Sequence, residues 1–443
     1  MKKWQWTLVA VGAPWAVAAA AGACSVEDQS SIIGNDDDDD RDGAGGEAST
    51  GGPGSGGTET ITVAVVGSGG NTPGNCITDP QLDDDNDGFS ENDGDCNDCD
   101  PNTNPNAIEV ITDPGGGTGG GMGTGGSGGG PPEPADENCD GNIDEPPTTC
   151  DSSLAFNDTN AASAALALDL CEVAGSGQDW GVVSANYVRA DGAPLANPGL
   201  AVGLVPQFGT NAVAQNGAAM VVLSSGYARP LSHPEECGNT SCSHSGSGTA
   251  PPNFPQDVPG CTGGTNINDD VALELQLRAP SNATGYSFDF AFMSFEFPEY
   301  VCTTFNDQFI ALVQPPPMGS VNGNISFDSL SNPVSINIAL FDHCDPSAIG
   351  QYTGPVPPNP YCPQGTAFMA GTGFNAWDTF SGSGATGWLQ TTAPIGPNET
   401  FTIRYAIWDT GDTALDSTVF IDNFQWIAEA GVQVGTGEIP DPK

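Results

Sequence analysis

The residues of this chain whose types and spacing could do chemistry are carboxylates. In DDDNDGFSENDGDCNDCDP, Asp83, Asp85 and Asp87 alternate, Gly88 follows at once, and Glu91 takes the ninth position counted from Asp83. Alternating acids converge on one ion, a glycine permits the sharp turn, and the next carbonyl, that of Phe89, points inward, as in the first half of an EF-hand calcium loop. The twelfth position, where a full EF-hand carries a bidentate Glu, is Gly94, flanked by Asp93 and Asp95. No amphipathic helix flanks the stretch, so the pattern predicts a calcium loop without an EF-hand around it. DENCDGNIDE repeats the spacing with Asp136, Asn138, Asp140 and Gly141, then Asn142 at the inward-carbonyl position and Asp144 at the ninth. The expected ligands are therefore Asp83, Asp85, Asp87, Phe89, Glu91 and Asp95 in the first loop, and Asp136, Asn138, Asp140, Asn142 and Asp144 in the second. All are hard oxygen donors, which suit calcium. Copper and zinc favour imidazole or thiolate, and the stretch has no His. The competing reading is a pair of solvated acidic turns.

The elements around these acids offer no counter-charge. The 443 residues carry 56 Asp plus Glu against eight Lys plus Arg, a net charge of -48, and no Lys, Arg or His lies between Arg41 and Arg189. Such a balance excludes nucleic acid, which needs a basic face, and makes metal cations the natural partners.

Thirteen cysteines complicate the choice of metal. Cys96 and Cys99 form C-x-x-C and, with Cys139 and Cys150, would make a four-thiolate zinc site. Neighbouring negative charge disfavours thiolates, and export favours oxidation, so disulfides are the expected state. The candidates are Cys76, Cys96, Cys99, Cys139, Cys150, Cys171, Cys237, Cys242, Cys261, Cys302, Cys344 and Cys362, with the pairing open. The acidic module has little core of its own and would depend on such staples.

Export is read from the N-terminus. Lys2 and Lys3 precede TLVAVGAPWAVAAAA, a run too short to span a bilayer comfortably, which predicts a signal peptide over 1–23. Ala21-Gly22-Ala23-Cys24 resembles a bacterial lipobox, which implies a lipid on Cys24 and anchoring at the outer membrane or cell surface; Ala21 departs from the usual Leu. Removing Cys24 from the pool leaves twelve cysteines, an even number. Cleavage to a plain secreted form is the alternative. Residues 24–75 are Gly, Ser, Thr and acid, too poor in apolar side chains to order, and read as a disordered tether. Residues 76–150 form the acidic module, with a glycine-rich insert over 115–134. Residues 151–430 have the composition of one large β-sandwich or jelly roll, and 431–443 form a tail.

Within the large domain, AFNDTNAASAALALDLC predicts a helix capped at Asn157 or Asp158. WGVVSANYVRA, AAMVVLSSGY, VALELQLRAP, YSFDFAFMSFEF, DQFIALVQ, VSINIALF, FTIRYAIWD and STVFIDNFQW predict strands, the phenylalanine-rich one with a single apolar face. Pro230 to Thr265, rich in Ser, Pro, Gly and Cys, reads as a surface insertion. The fold class is thus all-β, preceded by a small irregular disulfide-linked calcium-loop module and disordered linkers.

Two families enter by resemblance. DDDNDGFSENDGDCNDCDPNTNPNAIEV followed by DENCDGNIDE resembles the metal-binding motif of MopE-type bacterial surface proteins, whose third element appears here as NPNAIE; the glycine insert and Cys99 depart from it. That resemblance implies a metal, historically copper, while the residues themselves point to calcium. FDFAFMSFEFPEYVCTTFNDQFIALV and FTIRYAIWDTGDTALDSTVFIDNFQW resemble the choice-of-anchor L domain of exported bacterial proteins, which implies location more than activity.

Glu299, Asn306, Asp307 and Asp416 are candidates for a second calcium at one edge of the sandwich; the alternative is a plain Asx turn at Asn306 and Asp307. Of the histidines, His233 and His244 fall in the insertion beside Cys237, Cys242 and Cys261, and His343 sits in FDHCDP with no nucleophile announced by motif. The expectation is a non-catalytic surface lipoprotein, stabilised by calcium, binding a glycan, extracellular matrix or another surface protein. Trp377, Trp388 and Trp408 would be its sugar platforms. The alternative from another class is a secreted polysaccharide hydrolase with an acid pair.

Overall fold

The computed structural model describes residues 79–111, 134–175, 179–195, 197–261, 263–338, 340–349, 362–375 and 382–439. The expected leader, Cys24, the tether, Cys76, Trp377 and most of the glycine-rich insert lie outside these residues. In chain order the strands are β1 (Gly181–Val188), β2 (Val202–Val205), β3 (Gln207–Phe208), β4 (Ala212–Val213), β5 (Met220–Ser224), β6 (Ile267–Arg278), β7 (Gly285–Ser294), β8 (Gln308–Gln314), β9 (Val334–Ser335), β10 (His343–Cys344), β11 (Gly384–Ala385), β12 (Leu389–Pro394), β13 (Thr400–Thr410), β14 (Ser417–Ile427) and β15 (Gly435–Glu438).

Two antiparallel sheets carry the fold, as the all-β reading expects. The first has the order β1-β6-β13-β8-β9; the second runs β10-β11-β7-β14-β5-β2, with β12 beside β7 and β15 beside β12. Period-two alternation decides which side chains meet between them. Leu273, Leu275 and Leu277 on β6, Phe309, Ala311 and Val313 on β8, and Ile403, Tyr405 and Ile407 on β13 share one core with Phe288, Phe290 and Phe292 on β7 and Val419 and Ile421 on β14. Phe290 meets Phe309 with ring centroids 5.0 Å apart, and Phe288 meets Tyr405 edge-on at 4.9 Å. Each such burial contributes about 1.5–3 kcal/mol.

The phenylalanine strand differs from its expected single apolar face, because every residue of β7 is buried. Ala291 and Met293 point away from the central core into a second cluster with Met220, Val222 and Phe420, covered by Phe208, Phe368 and Phe374. The outer face of the first sheet is covered as well: Ala272, Ile310, Ala406 and Trp408 pack under Phe254. The segment from Pro230 to Thr265 is therefore no detachable insertion; Phe254 and Val258 are buried, and Ser247 bridges to Asn268 beside β6.

Three local expectations are corrected. The helix is short, α1 (Ala161–Leu166), and Asn160 caps it by accepting from the Ala162 amide, while Asp158 caps the turn before it by accepting from the Asn160 amide. VSINIALF pairs only through β9; Ile336, Ile338 and Phe341 reach the core from turns. Trp408 is wholly buried and Trp388 packs against the second cluster, so Trp408 presents no face to a sugar. Among the described residues, no helix is long and apolar enough to cross a membrane.

Candidate functional site

The two acidic loops share one backbone design. In the first, Asp83 Oδ2 accepts from the Gly88 amide at 3.0 Å and Asp83 Oδ1 from Asn86 at 2.6 Å; in the second, Asp136 Oδ2 accepts from Gly141 at 2.9 Å and Oδ1 from Asp140 at 3.1 Å. The third positions bond two residues ahead, Asp85 to the Asp87 amide and Asn138 to the Asp140 amide. The fifth do the same, Asp87 to Phe89 and Asp140 to Asn142. Asn86 and Cys139, both at the fourth position, have φ of 67° and 56°, and the glycines at the sixth have 104° and 94°. Left-handed backbone at the fourth position turns the alternating carboxylates to one side, and only glycine tolerates the sixth without strain.

Asp83, Asp87 and Asp136 spend both oxygens on hydrogen bonds from the chain, whereas Asp85 spends one on the turn and keeps the other. Oxygens of Asp83, Asp85 and Asp87 lie within 4.8 Å of one another, as do those of Asp85, Asp95 and Asp98. The Oδ2 atoms of Asp85, Asp95 and Asp98 and both oxygens of Glu91 are buried and accept no hydrogen bond from the protein. Burial, with like charges close by, lifts Asp85 and Asp95 to about 6. Asp98 belongs to this group although the loop spacing does not point to it. Glu109, Glu137 and Glu145 gather at the second loop. Glu109 accepts from the Asp144 amide at 2.6 Å, Glu145 accepts from Asn138 Nδ2 at 3.0 Å, and burial lifts Glu109 to about 7. Glu109 sits inside NPNAIE, which is the signal that places it.

Disulfides decide against zinc. Cys96 pairs with Cys139 and so joins the two loops, Cys150 pairs with Cys171, and Cys99 is disulfide-bonded as well. Cys237 pairs with Cys242, Cys261 with Cys302 and Cys344 with Cys362. No thiolate among these is left for a metal.

The module is seated on the sandwich. Asn104, fully buried, donates from Nδ2 to Asp87 at 2.7 Å and accepts from Ser281 Oγ at 2.7 Å. Ile108 and Asn282 exchange two hydrogen bonds of 2.9 Å. The docking surface is the turn between β6 and β7.

A second gathering of acids lies at one end of the sandwich, and its membership differs from the expected set. Asn306, Asp307 and Asp416 are buried there, but Glu299 is exposed; Glu296 and Asp409 stand in its place, each 1 % exposed. Glu296 continues the inward row Phe288, Phe290, Phe292; Asp307 precedes the inward row Phe309, Ala311, Val313; Asp409 follows Ile403, Tyr405, Ile407. An acid at the end of an inward row is the signal that identifies them. Asp307 accepts from the Thr410 amide at 2.8 Å and from Ser417 Oγ at 2.7 Å, and its own amide donates to Glu296 Oε2 at 3.3 Å. Asp416 accepts from the Cys242 amide with both oxygens. Burial raises all four acids, Glu296 and Asp409 well above the carboxylate range, Asp307 to about 7 and Asp416 to about 8.

The histidines stand in separate settings. His233 stacks on Phe156 at 4.5 Å, His244 shares a 3.2 Å contact with the Ser224 carbonyl and is held neutral by burial, and His343 packs its ring against Phe368.

The model of the choice-of-anchor L domain matches residues 201–425, just over half of the chain and most of both sheets. No curated protein matches the chain.

Proposed function

The chain belongs to the choice-of-anchor L family, which makes it an exported, cell-surface-associated protein, and from that premise we propose a non-catalytic surface lipoprotein whose paired acidic loops bind calcium. The observation that carries this reading is the shared backbone design of the two loops, with buried carboxylate oxygens left over on Asp85, Asp95 and Asp98 at the first and on Glu109 and Glu145 beside the second. Calcium replaces the missing donors and offsets charge that the chain cannot neutralise itself. Copper is disfavoured by the absence of His and of free thiolate at the loops. Lipid on Cys24 would hold the protein at the outer membrane. The sandwich would then present its surface to a glycan, a matrix polymer or another surface protein.

Calorimetric titration of calcium into the chelator-stripped full chain tests the loops. Saturable binding is expected, reduced by Asp85→Ala and by Asp140→Ala and abolished in the double variant for the loop ions. Incubation with polysaccharides tests the rest: retention without cleavage fits the proposal, and release of reducing ends overturns it in favour of a hydrolase.

A further inference from the structure

Among the described residues, the acids at the end of the sandwich have no cationic partner. The arginine ion pairs among the described residues go elsewhere, Arg189 to Asp270 and Arg404 to Glu274, and Arg229 donates to the carbonyls of Val202 and Ala228. Asp307 accepts from the amide of Thr410, the residue after Asp409, which brings the two buried carboxyls close, and neither oxygen of Asp409 receives a hydrogen bond from a protein donor. Two ionised carboxylates cannot face each other in a dry interior. Either one keeps a proton or a cation lies between them. A shared proton would account for Asp307 and Asp409 alone. It leaves Asn306, 1 % exposed and next to Asp307 in the chain, with both its amide oxygen and its amide nitrogen unpartnered, and leaves Glu296 as a third buried acid.

We propose that this end of the sandwich is a divalent-cation site, held by Glu296, Asp307 and Asp409 with the Asn306 amide oxygen, and with Asp416 at its rim. Its ligands are all oxygen, from three strand ends brought together across both sheets, and carboxylate oxygens that already accept one hydrogen bond keep a lone pair for the metal. Such a set selects calcium over zinc or copper. The site is separate from the acidic loops: no residue is common to the two.

Spectroscopy can distinguish them by substitution, because Trp408 adjoins Asp409 in the chain, whereas the tryptophan beside the acidic module is Trp180, which follows the residue whose amide donates to Asn106. Terbium added to the chelator-stripped full chain is expected to emit on excitation of tryptophan, with calcium suppressing the emission and Trp408→Phe reducing it. Asp409→Asn keeps the shape and removes the charge; it is expected to lose one calcium per chain and the sensitised emission. It should also lose a calcium-dependent rise in melting temperature of about 5–10 °C at a hundredfold excess over Kd. Asp85→Ala with Asp140→Ala should lose the loop ions and keep all three signals, so the two readings fail independently. If Asp409→Asn binds as many ions as the wild type and melts alike with and without calcium, the acids share protons and the proposal is overturned. Should that variant not fold, the terbium signal decides: no sensitised emission displaced by calcium, or emission that Trp408→Phe leaves unchanged, overturns it equally.

Discussion

The two acidic regions crowd carboxylates by opposite means. In the loops, spacing along the chain does the gathering: Asp83, Asp85 and Asp87 lie within five residues, and each is pinned by an amide of the same turn. At the sandwich end, Glu296, Asp307 and Asp409 come from three strands and meet only because two sheets pack face to face. A local site therefore depends on backbone conformation at a few residues, whereas a non-local one depends on the integrity of the whole core.

The sharpest way to separate them is to damage that core. Phe290→Ala removes a ring packed on Phe309 and should cost about 3–5 kcal/mol in a denaturant melt. It should weaken the sandwich ion while the loop ions still bind below the unfolding transition. Equal loss at both sites would break the comparison.

A smaller effect follows from pH. Asp422, fully buried beside β5, accepts from the amides of Gln215, Asn216 and Asn423, and burial lifts it to about 8 from an ordinary value of 3.8. The folded chain then holds a proton that the unfolded chain has released, so this contribution to stability is full below about pH 4 and falls as pH rises towards 8, by about 1.4 kcal/mol per unit. Metal-free protein should melt lower at pH 7 than at pH 5, and Asp422→Asn should flatten part of that slope. Calcium should flatten a further part, through the carboxylates it neutralises. A slope of the opposite sign would contradict both.

The smallest change expected is at the joint. Asn104 bonds Asp87 on one side and Ser281 on the other, so Asn104→Ala should cost about 1–3 kcal/mol and weaken calcium at the first loop more than at the second. Titration of the two loops separately, in backgrounds carrying Asp140→Ala or Asp85→Ala, would read that difference.

The same contrast governs what the sequence discloses. The arrangement of the loop acids follows from spacing because a turn of a few residues is its own scaffold, and most strands of the sandwich follow from alternation. Asp98 escapes because it joins Asp85 from outside the repeat, three residues beyond Asp95. Glu296 and Asp409 escape for a different reason. Asp409 lies on the inward side of β13 and Glu296 just past the end of β7, each where an acid breaks an apolar row, but which rows converge depends on sheet order. Glu299 has the right type of side chain, but it lies farther along the turn after β7, where it is exposed and strand alternation no longer decides burial. VSINIALF has a strand's composition, yet its residues reach the core from turns, since burial alone does not supply a pairing partner.

The bond between Cys96 and Cys139 has a consequence for the life of the protein outside the cell. It spans 43 residues and ties together the two loops that lie on either side of the glycine-rich insert. An extracellular protease that severs the chain anywhere within that span cuts the polypeptide in two without parting it. The fragments would migrate separately only after reduction, and the sandwich would stay joined to the part of the chain that precedes the cut.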